Sequence, residues 1–176
     1  WTGKLLAGVQ FETSITKQGS YVQVAPVKGE MLLFRPELPL LKSIVLSNGR
    51  YLIPRADHLI LAGSTLEYCD FDKTITEKAR TSLTDSAVAM VPALAETPVV
   101  AQWSGLRPGS PAGIPYIGNV PGLNNVYVNA GHFRNGLVLA PASAKLLVDI
   151  VLGRKSDIDP SPYDPAQRCD ADSFGS

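Results

Sequence analysis

The segment from Gly131 to Pro141, GHFRNGLVLAP, constrains the fold of this chain more than any other stretch. It follows an apolar run at residues 126–128 that predicts a strand, and it precedes residues 142–152, which predict a helix. A chain that passes from a strand through a glycine-rich turn into a helix leaves unpaired backbone N–H groups directed at one place. The segment therefore predicts a binding site for a carboxylate or for the electron-rich edge of a flat cofactor.

The composition limits the classes of protein in which such a site can occur. The 176 residues are 45% hydrophobic, which suffices for the core of one domain or slightly more. Because 16 basic residues balance 16 acidic ones, and no apolar run has the length of a bilayer span, neither a nucleic-acid nor a membrane partner is predicted. Cys69 and Cys169 are too few and too far apart for a metal knuckle or a disulfide framework. With no secretory signal at the start, they favour a reducing, cytoplasmic compartment.

The first two thirds of the chain predict strands followed by one amphipathic helix. The strands are expected at residues 21–34, 42–46, 50–54 and 58–64, with the turn Ser47-Asn48-Gly49 closing a hairpin. The helix is expected at residues 73–90. Thr74 or Thr76 can cap it, and Glu77 lies at capping-box spacing from Thr74.

The last third predicts a further strand–turn–helix pattern. A strand at residues 96–104 is followed by an irregular loop of glycine and proline at 105–118 and by a strand at 125–130. Pro141 is expected in the first turn of the closing helix, and Gly153 just beyond its end. Residues 156–176 predict a tail that lies on the surface or is disordered. Together the pattern predicts an α+β fold with a mostly antiparallel sheet.

Few residues have the spacing of a known catalytic motif. His58 and His132 are the only histidines and have no partner at metal-ligand spacing, so no metal site is predicted. The sequence contains no P-loop, no GxGxxG and no serine nucleophile elbow. A hydrolase, kinase or dehydrogenase is therefore not indicated by the motifs alone.

Two arginines in glycine-rich surroundings are the best candidates for ligand binding. Arg107 lies in GLRPG and Arg134 in GHFRNG, where the backbone can approach a ligand closely. The planar guanidinium offers a fork of donors that matches a carboxylate. Alternatively, each arginine braces a surface loop. Tyr51 could line a pocket or be an aromatic residue on the face of the sheet. His132 could line a pocket or be a hydrogen-bonded structural histidine.

Five motifs in a fixed order extend this interpretation. They are VKGEM at 27–31, YLIPR at 51–55, GSTLE at 63–67 with FD at 71–72, WSGLRPGSPAGIPYIG at 103–118 and GHFRNGLVLAPASAKLL at 131–147. Over about residues 1–153 the chain resembles the C-terminal half of the FAD-dependent amino-acid oxidases with a D-amino-acid-oxidase-like fold. Within that family it is most similar to the glycine oxidases of thiamine synthesis.

The resemblance implies a division of the chain into domains. Residues 1–20 would be a remnant of the FAD domain and a linker, and residues 21–102 a substrate-binding sheet domain with one helix. Residues 103–153 would return to the strand–helix part of a Rossmann-like FAD domain, and residues 154–176 would form the tail. The N-terminal nucleotide-binding segment of the family is expected outside this chain.

The resemblance also implies site residues and chemistry. Arg107, Arg134 and Tyr51 would bind the substrate. The flavin contacts would come from His132, Phe133, Arg134, Asn135, Gly136, Leu137 and Val138. The cofactor would be FAD, which takes a hydride from the substrate Cα, so no protein side chain is expected to be catalytic. The imine would hydrolyse, to glyoxylate and ammonia in the case of glycine, and oxygen would be reduced to hydrogen peroxide.

Two alternatives remain open at the level of sequence. One is an FAD-dependent D-amino-acid dehydrogenase that passes electrons to a carrier instead of to oxygen. The other is a non-catalytic domain that binds a small carboxylate. The expected substrate is a small amino acid or amine with a carboxylate, without a ranking of glycine, sarcosine and small D-amino acids. A homo-oligomer is compatible with the sequence.

Overall fold

A computed structural model describes residues 22–168. These residues form two compact units, one of Val27–Leu106 and one of residues 22–26 together with 107–168. The described part contains two α-helices, α1 (Glu77–Met90) and α2 (Gly136–Val151). Its strands are β1 (Ala25–Phe34), β2 (Val45–Ser47), β3 (Arg50–Pro54), β4 (Ile60–Gly63), β5 (Val99–Gly109), β6 (Tyr116–Asn119) and β7 (Tyr127–Ala130).

A five-stranded sheet in the order β2-β3-β4-β1-β5 forms the framework of the Val27–Leu106 unit. β2, β3 and β4 make an antiparallel meander, and β4 also pairs antiparallel with β1. Asn48 and Gly49 close the β2–β3 hairpin with φ angles of 47° and 72°, as a tight hairpin turn requires. The predicted antiparallel meander and its Asn-Gly turn are therefore confirmed.

Helix α1 packs its apolar stripe on this sheet. Ala79, Leu83 and Ala87 recur every four residues and are buried. Leu83 and Ala87 belong to a core cluster that also contains Leu32, Phe34, Leu52, Ile60, Ala62 and Leu94. The helix begins at Glu77 instead of residue 73, because the Thr76 hydroxyl accepts the N–H of Ala79 at 3.1 Å. The alternative cap at Thr74, with its capping box, is therefore wrong.

The glycine- and proline-rich stretch at 105–118 is more regular than its composition predicts. β5 continues through Gly109 and β6 begins at Tyr116, so only residues 110–115 connect them. The predicted irregular loop is wrong because β5 lies at the edge of the sheet. An edge strand tolerates Pro108, whose missing N–H costs no ladder bond on the open side.

β6 and β7 form an antiparallel hairpin that leads through residues 131–135 into α2. Pro141 lies inside α2, beyond its first turn. The expected first-turn position is wrong because the helix begins at Gly136, directly after a short turn. The Leu137 carbonyl then loses its intrahelical donor. Since Leu137 is almost fully exposed, water can hydrate that carbonyl.

The end of the described chain is ordered by short turns. Residues Ser161–Tyr163 and Pro165–Arg168 form 3-10 turns, and Pro165 is buried. This part of the predicted tail is structured, whereas residues 169–176, with Cys169, and residues 1–21 lie outside the described residues. Across residues 22–168, neither helix has the length and apolar character needed to cross a membrane.

Candidate functional site

The turn at residues 131–135 is tied to the end of β5 by two hydrogen bonds. The N–H of Phe133 donates to the Pro108 carbonyl at 2.9 Å. The Ser110 hydroxyl donates to the Gly131 carbonyl at 2.7 Å. Gly131 has φ of 82°, and a Cβ built there would lie 2.9 Å from the Ser110 Cβ. Only glycine fits this backbone conformation and this close approach.

The N-terminus of α2 follows directly and presents its amides without a side-chain cap. Asn135 is the N-cap residue, but its side chain makes no capping hydrogen bond. Its carbonyl accepts the N–H of Leu139 at 2.9 Å, the first intrahelical bond. The amides of residues 136–138 therefore have no acceptor within the helix. Together with the positive end of the helix dipole they suit an anionic or electron-rich group.

His132 is held by the helix that it precedes. Its Nε2 lies 2.9 Å from the Oγ of Ser143, a buried residue of α2. Burial lowers the pKa of His132 below its ordinary value. The ring is therefore neutral at pH 7 and adds no positive charge beside the helix N-terminus.

Both candidate arginines belong to the unit that contains this turn. Arg107 is half-buried near the C-terminal end of β5, and Arg134 is exposed in the turn. Arg107 thus lies in a strand and not in the predicted loop. The flavin-contact candidates from His132 to Val138 are consecutive in the turn and the first turn of α2, where Leu137 and Val138 are 91% and 81% exposed.

Tyr51 belongs to the Val27–Leu106 unit, where it is half-buried in β3. It is the cross-strand partner of Gly63 in β4. A Cβ built on Gly63 would lie 2.8 Å from the Cε2 of Tyr51, so the aromatic ring lies directly against the Gly63 backbone. The absence of a side chain at Gly63 therefore sets the position of the tyrosine ring.

The motifs did not single out Ser110 or Ser143, the two buried serines among residues 107–168. Ser110 lies in GLRPGSPAG, between β5 and the Pro111 turn. In that segment the flanking glycines favoured Arg107 as the ligand-binding residue. Ser143 lies in the apolar run LAPASAKLL, where a polar residue on the inner face of a helix is a usable signal of a buried partner.

A second polar cluster lies in the Val27–Leu106 unit. The Glu30 carboxylate is fully buried and accepts hydrogen bonds from the Thr76 N–H at 3.1 Å, the Thr76 hydroxyl at 3.0 Å and the Gln102 side chain at 2.8 Å. Lys28 Nζ lies 3.8 Å from Glu30 and 3.5 Å from Glu67. Burial disfavours the charge on Lys28, but Glu67, Cys69 and Glu30 outweigh it and raise its pKa. The cluster holds β1, β5 and the start of α1 together.

Sequence comparison identifies relatives of this chain. Residues 1–150 match the sequence model of a family described as FAD dependent oxidoreductase. The chain is 52% identical over 168 residues to the glycine oxidase of Pseudomonas aeruginosa, covering 96% of this chain and 44% of that protein. It is 33% identical over 170 residues to the bifunctional protein ThiO/ThiG of a Nostoc species, covering 86% of this chain and 26% of that protein.

The fold has a counterpart among solved structures. The crystal structure of glycine oxidase from Geobacillus kaustophilus superposes with a TM-score of 0.76 at 35% identity. The match covers 83% of this chain and 40% of that one. The chain thus spans less than half the length of the relatives that it matches.

Proposed function

The chain belongs to the family of FAD-dependent oxidoreductases, and on that premise we propose that it is part of an amino-acid oxidase that acts on glycine or a similarly small amine. The observation that carries the proposal is the tied turn at 131–135, which leads into an uncapped helix N-terminus. The 52% identity to a glycine oxidase across 96% of this chain supports it.

The flavin side of the proposed site comprises His132, Phe133, Arg134, Asn135, Gly136, Leu137 and Val138. Bound FAD would supply the redox chemistry by accepting a hydride from the substrate Cα. The backbone amides at the start of α2 suit the electron-rich pyrimidine edge of the isoalloxazine, where reduction places negative charge. The exposed side chains of Leu137 and Val138 offer apolar surface to a flat ring system.

The substrate side of the proposed site comprises Arg107, Arg134 and Tyr51. A guanidinium pairs with the substrate carboxylate by charge-assisted hydrogen bonds and thereby orients the amine and the Cα. The neutral His132 leaves the positive charge of this region to the arginines. With the hydride acceptor supplied by the cofactor, no protein side chain needs to act as an acid or a base. The imine product would then hydrolyse, and oxygen would take the two electrons that the substrate gave up, forming hydrogen peroxide.

We further propose that the two units correspond to different domains of the family fold. Val27–Leu106, with its antiparallel sheet, corresponds to the substrate-binding domain. Residues 107–153, with the tied turn and α2, correspond to the strand–helix part of a Rossmann-like FAD domain. The similarity to a protein named ThiO/ThiG supports a place in thiamine synthesis, where the glycine imine would serve the thiazole branch.

A flavin spectrum and a peroxide assay test the function directly. The full-length protein that contains this chain is expected to show the visible absorption of oxidised flavin after purification with FAD. Glycine should bleach that absorption anaerobically and should release hydrogen peroxide in air. The absence of flavin absorption would exclude the oxidase and leave a carboxylate-binding domain. Bleaching without peroxide, with turnover restored by an artificial electron acceptor, would identify a dehydrogenase.

The role of Arg107 is tested in the same assay. Arg107→Ala should raise the KM for glycine about 10- to 100-fold by removing a charge-assisted pair. Arg107→Lys should recover only part of that loss, because an ammonium cannot reproduce the planar fork. An unchanged KM in both variants would remove Arg107 from the substrate site.

A further inference from the structure

We propose that Ser110 is a positioning residue that sets the place of the turn at 131–135 and so of the backbone that meets the flavin. This inference deepens the proposed function and rests on it for the identity of the ligand. The hydroxyl is not assigned to contact the substrate or the cofactor. It acts through the turn that carries His132, Phe133 and Arg134.

Ser110 joins three backbone segments at a single buried atom. Its Oγ lies 2.7 Å from the Gly131 carbonyl and 2.7 Å from the Ile114 carbonyl, and the residue is 6% exposed. Both distances are those of good O–H···O hydrogen bonds. Because a hydroxyl has one hydrogen, the two carbonyls share it or alternate in accepting it. The end of β5, the Pro111 turn and the start of the 131–135 turn therefore meet at one hydroxyl.

The contact between Ser110 and Gly131 leaves no room for adjustment. A Cβ on Gly131 would lie 2.9 Å from the Ser110 Cβ and 3.3 Å from its Oγ. The two residues thus meet at van der Waals distance, with the φ of Gly131 at 82°. The serine fixes the separation through packing on one side and through the hydrogen bond on the other.

The Ser110 bond is one of two ties in antiparallel register. Pro108 faces Phe133, whose N–H donates to the Pro108 carbonyl at 2.9 Å, and two residues further on Ser110 faces Gly131. One tie alone would let the turn rotate about it, whereas two ties fix its orientation. Since Phe133 has φ of 49°, in the left-handed region, the turn is held in a conformation that a freed chain would leave.

Loss of the hydroxyl therefore has a defined consequence. In Ser110→Ala the Gly131 carbonyl loses this donor, the Ile114 carbonyl keeps only Arg168, and Phe133 alone ties the turn to the end of β5. A turn that moves displaces the start of α2 and the amides proposed to meet the flavin. Chemistry that depends on a well-placed hydride acceptor is sensitive to such a displacement, so kcat should fall more than KM rises.

Hydrogen exchange on the full-length protein tests the positioning role without recourse to activity. The amides of Phe133, Asn135 and Leu139, which are hydrogen-bonded in the wild type, should exchange about tenfold faster in Ser110→Ala. Ser110→Cys keeps a side chain of similar size with a much weaker donor, and should fall between the two. Ser86→Ala is the matched control, because it removes a hydroxyl–carbonyl bond of 2.8 Å within α1 and should leave these amides unchanged.

Kinetics and the flavin spectrum of the same variants complete the test. Ser110→Ala should lower kcat for glycine about 10- to 100-fold with a small change in KM and should shift the visible flavin bands. Unchanged exchange in Ser110→Ala, or Ser110→Cys identical to the wild type, would overturn the inference. If the alanine variant does not fold, the cysteine variant is compared with the wild type alone. A wild type without flavin would defeat the proposed function, while the exchange result would still decide whether Ser110 positions the turn.

Discussion

At the scale of single residues, the glycines with close neighbours explain more of the candidate site than the charged residues do. Gly63 and Gly131 each lie where a Cβ would come within 3 Å of a side chain, Tyr51 in one case and Ser110 in the other. Such distances are far below ordinary van der Waals contact, so the missing side chain determines where the neighbour can be. Both glycines therefore define positions that the functional proposal uses.

Gly63→Ala tests this for Tyr51. The added methyl group must displace the tyrosine ring, which should lower the free energy of unfolding by about 1–3 kcal/mol. It should also raise the KM for glycine about tenfold if Tyr51 lines the substrate site. Denaturant unfolding and steady-state kinetics measure the two effects. Gly105→Ala is the control, since a Cβ there meets nothing within 4 Å. A Gly63→Ala variant with wild-type stability and KM would show that the ring position is not restricted by this contact.

At the level of helices and strands, each helix begins at or directly after a segment that a tertiary contact holds. Thr76 caps α1 while its own N–H and hydroxyl donate to the buried Glu30 carboxylate. Helix α2 begins at Gly136 after the turn tied by Ser110 and Phe133, and His132 bonds to Ser143 in the third turn of the helix. The starts of both helices thus depend on residues distant in the chain.

Glu30→Gln should destabilise the start of α1. An amide replaces one acceptor oxygen with a donor that faces the Thr76 and Gln102 donors, so at least one buried hydrogen bond becomes a donor–donor contact. The free energy of unfolding should fall by about 3 kcal/mol. Denaturant titration measures it, with Glu37→Gln at an exposed site as the control expected within about 0.5 kcal/mol of the wild type. Equal stability of the two variants would contradict the role of Glu30.

His132 should make stability depend on pH in one direction. Its pKa in the fold is lowered by burial, so between that pKa and the ordinary value of about 6.5 the unfolded chain binds more protons than the folded one. Stability is therefore fully present above pH 6.5 and should fall as the pH decreases through this window. His132→Gln should flatten this part of the profile of unfolding free energy against pH. His58→Gln, which replaces an exposed ring, is the control, and a wild-type slope in His132→Gln would contradict the assignment.

At the scale of the whole molecule, the end of the described chain closes the unit that carries the candidate site. Arg168 donates to the carbonyls of Pro111, Ile114 and Pro115 at 2.8–3.1 Å. Its guanidinium also lies 4.1 Å from the ring centroid of the buried Tyr116. These contacts join residues more than fifty positions apart and hold the turn whose Ile114 carbonyl Ser110 also binds.

Arg168→Ala should therefore destabilise this unit as a whole. The loss of the cation–π contact and of charge-assisted hydrogen bonds should lower the free energy of unfolding by about 2 kcal/mol and reduce the Tm. Arg168→Lys should retain part of the stability, since an ammonium keeps the charge over the ring but cannot reach three carbonyls with a planar fork. Calorimetry measures both variants, and an Arg168→Ala protein with the wild-type Tm would show that these contacts do not stabilise the fold.

Elements with a local signal in the sequence were predictable. The Asn48–Gly49 hairpin, the antiparallel meander around it, the apolar stripe of α1 and the order strand, turn, helix at 126–152 follow from turn chemistry and periodicity. The family and its cofactor were also predictable, because the motifs at 103–118 and 131–147 are continuous in the chain.

Features that depend on partners far apart in the sequence became visible only in the folded protein. Four features contradict what the local composition favours. They are the extension of β5 through Arg107, the start of α2 ahead of Pro141, the burial of Lys28 and Glu30, and the packing of Arg168 on Tyr116. Each depends on a hydrogen-bond donor or acceptor supplied by another segment. Such a hydrogen-bond partner offsets the free-energy cost of a locally unfavourable conformation or burial. A pattern within a few consecutive residues cannot reveal a partner that is distant in the sequence.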